Sequence, residues 1–339
     1  MTDRYHRQSI LPQIGAAGQA RLADATVAIL GCGALGTVAA DGLARAGIGR
    51  LILVDRDLIE TTNLQRQTLY DEADARDSRP KAVAAAERLA RVNSDIKIEP
   101  RPVDVDADNV LALVEEADLT VDGTDNAATR YLLNDAAVKL GKPWIYGAAV
   151  SVEGRAMAVI PEKTPCLRCV FPDPPPPGEL ETCDTAGILA AASGVVGNLQ
   201  AALALRTIVS GDPPMALQAF DVWNGEFRTI DLSSAKTADC PCCGHGEFPF
   251  LDQPPGDAVA LCGRDAVQIR TPRATWELAA LAKKLGPLGD LSETPMMLRF
   301  TPRDRPGIRM TAFRDARVIV QGTTDPAVAR SLHARYFGA

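Results

Sequence analysis

The sequence predicts an α/β fold: a Rossmann-like, mainly parallel sheet that continues into antiparallel strands, with a pair of zinc knuckles and a small C-terminal α/β domain. Three observations predict it. Short apolar runs of strand length alternate with helical runs of ten or more residues through the first 150 positions, the signature of βαβ units. A Gly31-x-Gly33-x-x-Gly36 loop joins the first strand to the first core helix. Past Gly147 the pattern changes to strand-like runs that suit antiparallel pairing.

Residues 9–24 have helical spacing. Residues 25–30 (ATVAIL) read as a buried strand running into the glycine loop, and the apolar helix after it extends to Ala46. RLILV at 50–54 is a second strand, ending at Asp55. Residues 81–92 are helical, 96–100 a strand, 110–116 a helix, and 119–121 a strand that ends in Asp122-Gly123-Thr124-Asp125-Asn126. A helix at 129–140 and a strand at 144–148 follow. Residues 151–160 and 218–232 read as antiparallel strands. Between them lie FPDPPPPG at 171–178 and a small-residue helix at 186–209. The proline run suits a surface loop, because proline fixes φ and donates no hydrogen bond. The expected division is a first domain over 1–250, a linker over 251–265 and a C-terminal domain over 266–339. The last has its own strands, with helices at 276–285 and 326–336.

Composition excludes several classes of function. With 46% hydrophobic and 23% charged residues the chain has an ordinary core, not a disordered one. A formal charge of -7 without a basic stripe argues against nucleic-acid binding. No apolar run is expected to reach the ~18 residues of a membrane span. MTDRYHRQ has no signal-peptide core, so the expected setting is a reducing cytoplasm. There, eight cysteines imply metal ligation or thiol chemistry more than disulfides.

Glycines at 31, 33 and 36 permit a tight turn and let backbone N–H groups approach a phosphate at a helix N-terminus. Asp55 stands near the ~20-residue offset of a ribose-binding acid. NAD is the default reading, and ATP or AMP would use the same geometry. Arg4-Tyr5-His6-Arg7-Gln8, Asn63-Leu64-Gln65-Arg66-Gln67, Lys81 and Thr124-Asp125-Asn126 add cations and a carboxylate. Loops that follow successive strands converge at the carboxyl edge of the sheet. Such a charge set exceeds what hydride transfer needs and suits phosphoryl chemistry with Mg²⁺ on a carboxylate. Singly, each residue has a plainer reading: solvated cations, and an Asp-Asn helix cap. No GxxxxGK[ST] loop is present, which disfavours γ-phosphate cleavage of the P-loop type.

Cys166 and Cys169, with Cys240 and Cys243, form two CxxC pairs that fit a closed tetrahedral zinc site. Cys242 reads as a bystander and His245 as an alternative ligand. Cys183 stands alone before a helical run, a candidate nucleophile. Cys262 reads as structural.

RYHRQ, GCGALG, LVDRD, NLQRQ, the Lys81 helix, GTDN and the two CxxC pairs occur in one order over roughly residues 1–250. Together they resemble the ThiF/MoeB family of the ubiquitin-activating-enzyme superfamily. The resemblance implies an adenylyltransferase: MgATP activates the C-terminal glycine of a ubiquitin-like sulfur carrier, ThiS-like or MoaD-like. It implies that Gly31, Gly33 and Gly36 form the phosphate loop and that Asp55 binds the ribose. Asn63, Arg66 and Lys81 would contact phosphates, and Asp125 would hold Mg²⁺. Arg7 would reach the partner's site in a homodimer. Cys183 would sit in a crossover loop, where the corresponding cysteine links to the carrier's thiocarboxylate in ThiF-type members and is dispensable for adenylation in MoeB-type members; the plainer reading is an inert small residue. Many relatives carry a C-terminal rhodanese domain with its own persulfide cysteine; here no cysteine follows Cys262, so the sulfur donor is expected to be a separate protein such as a cysteine desulfurase. A short C-terminal extension like this one is seen on some bacterial ThiF-like proteins. The alternatives are an NAD-dependent oxidoreductase, a nucleotide-binding scaffold without turnover, and a tRNA-modifying dehydratase of the same superfamily.

Overall fold

An eight-stranded sheet organises the first of two units, Met1–Gln253. The computed structural model describes residues 3–174, 183–253, 258–260, 265–271 and 274–338. The strands are β1 (Thr26–Leu30), β2 (Arg50–Val54), β3 (Lys97–Arg101), β4 (Leu119–Asp122), β5 (Trp144–Val150), β6 (Glu153–Val159), β7 (Ala216–Asp221) and β8 (Glu226–Asp231). Their order is β3-β2-β1-β4-β5-β6-β7-β8. From β3 to β5 every pairing is parallel, and from β5 to β8 every pairing is antiparallel.

Both faces of the parallel half are covered, as parallel sheets require. Val27, Ile29, Leu51, Leu53 and Val121 pack on one side with Leu43, Leu89 and Ala204 from three helices: Gly36–Ala46, Lys81–Val92 and Ala190–Ser210. Ala28, Leu30, Ile52 and Val54 pack on the other with Val110, Leu113, Leu133 and Ala136, from the helices Val110–Glu115 and Ala127–Leu140. Successive strand residues therefore serve opposite layers, which explains why these runs are apolar throughout.

The register fixes the site. Leu30 at the end of β1 pairs with Val54 of β2 and with Asp122 of β4. Gly31, Asp55 and Gly123 therefore leave the sheet side by side. From β1 the chain winds outward to β2 and β3 on one side and to β4 and β5 on the other. Ligands bind at the carboxyl edge where a doubly wound sheet reverses in this way.

The fold class is as expected, with two differences inside helical runs. The run at 9–24 is broken: one turn spans His6–Ser9 and the helix proper is Gly15–Asp24, because Pro12 interrupts it and Gly15 takes φ +62°. The run at 186–209 is likewise two helices, Cys183–Ala186 and Ala190–Ser210, parted by Gly187 at φ +75°. By length and a hydropathy of 1.2, Ala190–Ser210 is apolar enough to cross a membrane, though no single run announces it. It packs on the sheet, with Val196, Gly197, Gln200, Ala201 and Ala204 buried, and is a core helix of this unit.

The second unit, Pro254–Ala339, holds a six-stranded sheet. Its strands are β9 (Ala258–Ala260), β10 (Ala266–Arg270), β11 (Gly289–Glu293), β12 (Met297–Pro302), β13 (Arg309–Phe313) and β14 (Arg317–Gln321). The order is β11-β12-β13-β14-β10-β9, antiparallel throughout. Helices Leu278–Leu285 and Pro326–Phe337 cover the face that carries Val267, Leu298, Phe300, Met310 and Val320. Residues 175–178 of the proline run, 254–257 of the expected linker, and Cys262 lie outside the described residues.

Candidate active site

The glycine loop is built from contacts that tolerate no side chain. A Cβ on Gly36 would stand 1.8 Å from the Gly31 carbonyl oxygen, and one on Gly31 would stand 2.5 Å from that of Gly123. Gly31 also has φ +93°. Gly33 differs: a Cβ there would meet nothing nearer than 3.9 Å. The Gly31 N–H donates to Val54 O at 2.7 Å and the Cys32 N–H to Asp55 Oδ2 at 2.7 Å. Among the described residues, no backbone acceptor takes the N–H groups of Gly33, Ala34, Leu35 or Gly36. Four such amides at the start of an 11-residue helix have the arrangement that can receive an anion.

Asp55 is buried at 8% exposure, and its Oδ1 accepts the Asp57 N–H at 2.7 Å. Burial raises its pKa, and the Lys81 charge pulls it back. Lys81 is also buried, with Nζ 3.0 Å from Asp57 Oδ2. Asn63 lies in the loop after β2, where its Oδ1 accepts the Glu60 N–H at 3.1 Å. Arg66 follows it, half-buried, donating to Thr62 O at 2.9 Å. Asp125 is exposed on the loop after β4. Asn126 caps the next helix by accepting the Thr129 N–H at 2.8 Å.

Arg7 lies apart. Its neighbours tie the N-terminal segment to the far end of the Gly36–Ala46 helix: Gln8 donates to Ala46 O at 2.8 Å, and Asn93 donates to the Tyr5 hydroxyl at 2.8 Å and to Ala44 O at 2.7 Å. An 11-residue helix is about 16 Å long. Arg7 is therefore exposed near the opposite end of that helix from the glycine loop. Cys183 starts the helix Cys183–Ala186, but its side chain lies outside the described residues.

Sequence reading missed four residues. Asp57 stands two positions past Asp55, and that i, i+2 spacing at a strand end was a usable signal. Arg56 pairs with Asp104 at 3.1 Å and feels the charge of Asp125. Arg130 stands four residues past the Asn126 cap, so it faces back to the loop. Its Nε bonds buried Asp122 at 2.7 Å, and its Nη2 donates to Thr124 O at 3.0 Å and Gly147 O at 3.1 Å. Tyr70 gave no signal in the sequence. It is 8% exposed, and its hydroxyl donates to Cys32 O at 2.7 Å.

Cys166, Cys169, Cys240 and Cys243 come together with all four sulfurs within 4.8 Å of one another. Measured pairs are 3.8, 3.6 and 3.4 Å apart. A zinc ion with Zn–S bonds of about 2.3 Å needs sulfurs about 3.8 Å apart, so this donor set fits one. Cys242 points elsewhere, accepting from Asn134 Nδ2 at 3.2 Å, and His245 is exposed outside the cluster.

The chain matches the ThiF family over residues 5–242. It belongs to the ThiF family. It is 40% identical over 341 residues to the sulfur carrier protein ThiS adenylyltransferase of Bacillus subtilis, covering 100% of both chains. It is 42% identical over 250 residues to the sulfur carrier protein adenylyltransferase of Thermus thermophilus, covering 71% of this chain and 90% of that one. E. coli MccB with AMPCPP and MccA aligns with a TM-score of 0.62 at 26% identity, over 71% of this chain and 74% of that one. The similarity to the B. subtilis protein thus extends through the second unit of this ThiF-family chain, while the family match ends at residue 242.

Proposed function

We propose that this ThiF-family protein adenylates the C-terminal glycine of a ubiquitin-like sulfur carrier and readies it for thiocarboxylate formation. The observation that carries the reading is the anion site itself. Four uncommitted loop amides share one sheet edge with Asp55, Lys81 and exposed Asp125, in a chain alike end to end with a named ThiS adenylyltransferase.

The carrier's terminal carboxylate is already ionised at neutral pH, so no general base is needed. One carboxylate oxygen bonds to the α-phosphorus of ATP, the bond to the bridging oxygen breaks, and pyrophosphate leaves. The protein positions the groups and offsets negative charge. Amides of Gly33 to Gly36 bind phosphate oxygens. Asp55 retains lone pairs for ribose hydroxyls beside the two N–H bonds it accepts. Asn63, Arg66 and Lys81 meet the phosphates, and the Asp57 ion pair holds the Lys81 ammonium in place. Asp125 with phosphate oxygens would hold Mg²⁺, which supplies further charge neutralisation when bound. The first unit is the adenylation domain, and zinc at the four cysteines supplies a structural cross-link.

The protein acts as a homodimer in which Arg7 reaches the partner's site, in keeping with its distance from its own loop. Cys183 takes part in sulfur transfer, and a separate donor such as a cysteine desulfurase supplies the sulfur. The setting is cytoplasmic.

ATP–pyrophosphate exchange, run with and without ThiS-like and MoaD-like carriers ending in Gly-Gly, tests this reading. Exchange that depends on a carrier is expected. Tight ATP binding without exchange under any carrier would instead favour the scaffold.

A further inference from the structure

We propose that Tyr70 is a positioning residue that locks the Cys32–Gly33 peptide with its N–H facing the phosphates. The proposal rests on the ATP-binding reading above. Tyr70 is nearly buried, and its hydroxyl lies 2.7 Å from Cys32 O and 3.3 Å from Lys81 O. A phenol has one hydrogen, so the shorter contact takes it. In a trans peptide the C=O and the following N–H point opposite ways. Holding Cys32 O toward Tyr70 therefore turns the Gly33 N–H away from Tyr70, and among the described residues no backbone acceptor takes it.

The peptide needs such a lock. Glycine precedes Cys32 and follows it, and glycine has little steric resistance to rotation. The Cys32 N–H is fixed by Asp55, but that bond restrains the preceding peptide, between Gly31 and Cys32. Among the described residues, only the Tyr70 hydroxyl restrains the carbonyl side of Cys32. A peptide rotated by a half-turn would present a carbonyl oxygen to phosphate instead of an N–H. The same hydroxyl touches the backbone of Lys81, so one side chain joins the loop to the start of the Lys81–Val92 helix.

Tyr70→Phe keeps the ring and removes the donor. Calorimetric titration with ATP and with adenosine, on the full chain and on this variant, separates locking from general packing. ATP affinity is expected to fall about tenfold, the size of a lost charge-assisted hydrogen bond, while adenosine affinity stays within a factor of two. Equal weakening of both ligands, or weakening of neither, overturns the proposal. A wild-type chain that binds adenosine but gains nothing from phosphates overturns the ATP reading and this proposal with it. In the unsubstituted protein labelled with ¹⁵N-glycine, tripolyphosphate should shift the Gly33 amide resonance. An unmoved Gly33 resonance, with other glycines shifted, overturns the outward N–H even if the variant fails to fold.

Discussion

The three loop glycines are not equivalent, although the motif writes them alike. Gly36 is required by the fold, since its Cβ would overlap the Gly31 carbonyl at 1.8 Å. Gly33 is not required by the fold, since the protein leaves room for a Cβ there, and under the proposed function it is the phosphate that needs the space. Gly36→Ala should therefore destabilise the chain by at least about 2 kcal/mol in a urea melt. Gly33→Ala should leave the melt unchanged and weaken ATP binding. Equal melts for both variants would contradict this division. Among the described residues, the side-chain hydrogen bonds of Asp125 and Arg66 are at exposed positions. Asp125→Ala or Arg66→Ala should lower exchange by a factor of roughly 100, in line with lost transition-state charge stabilisation. Thermal stability should not change. Full exchange by a folded Asp125→Ala protein would remove the magnesium assignment.

At the scale of elements, the four-cysteine lobe and the Ala127–Leu140 helix are one device. Asn134 in mid-helix accepts the Leu167 N–H at 2.9 Å and donates to Cys242, while Asp135 accepts the Phe250 N–H at 3.1 Å. Both knuckles are thus keyed to the helix whose N-terminal end carries the Asp125 loop. Arg130, on the first turns of that helix, clamps the loop through Asp122 and reaches β5 at Gly147. Chelation of zinc, or Cys169→Ser, should lower the melting temperature by roughly 10 °C. At ~2–4 °C per kcal/mol for this size, that corresponds to a metal contribution of about 3 kcal/mol. Scanning calorimetry with and without added zinc measures it. An unchanged transition would mean that the cluster folds without metal.

At the scale of the whole molecule, Arg7 distinguishes a dimer with shared sites from a self-sufficient chain. Arg7→Ala and Asp125→Ala proteins, each inactive, should on subunit exchange recover up to about one quarter of wild-type activity. Half of the randomly mixed dimers are hybrids, and each hybrid has one intact site. No recovery after verified exchange would place Arg7 in its own chain's site or in none. The two units should also respond differently to acid. In the second, His333 is buried in a stack with Trp276 and Phe337, and burial lowers its pKa. The unfolded chain then binds the proton more tightly than the folded one. Stability is full above about pH 6.5 and falls as pH drops toward the lowered value. In the first unit, Arg50 and Lys97 hold Glu99 at about 2, and Arg101 and Arg50 hold Glu116 at about 2. Those carboxylates stabilise above their unfolded value of 4.5 and lose the contribution only as pH falls toward 2. Amide exchange at pH 7, 5.5 and 4 should show the second unit loosening first, and His333→Gln should remove its early loss.

Local residue patterns encoded the period of most elements, the glycine turn and the four-cysteine spacing. These depend on local sterics and on ligand geometry, and neighbours in the chain carry both. Asp55, Lys81 and Asp125 were legible because each stands at a strand end or helix start, where a doubly wound sheet gathers its loops. The tertiary structure decided which groups meet. It joined Lys81 to Asp57, Arg130 to Asp122 and Gly147, and Tyr70 to the Cys32 carbonyl. It also separated Gly36, closed by backbone, from Gly33, where a Cβ would meet nothing nearer than 3.9 Å. Pairings of that kind depend on register and burial across distant segments, and no local pattern encodes them.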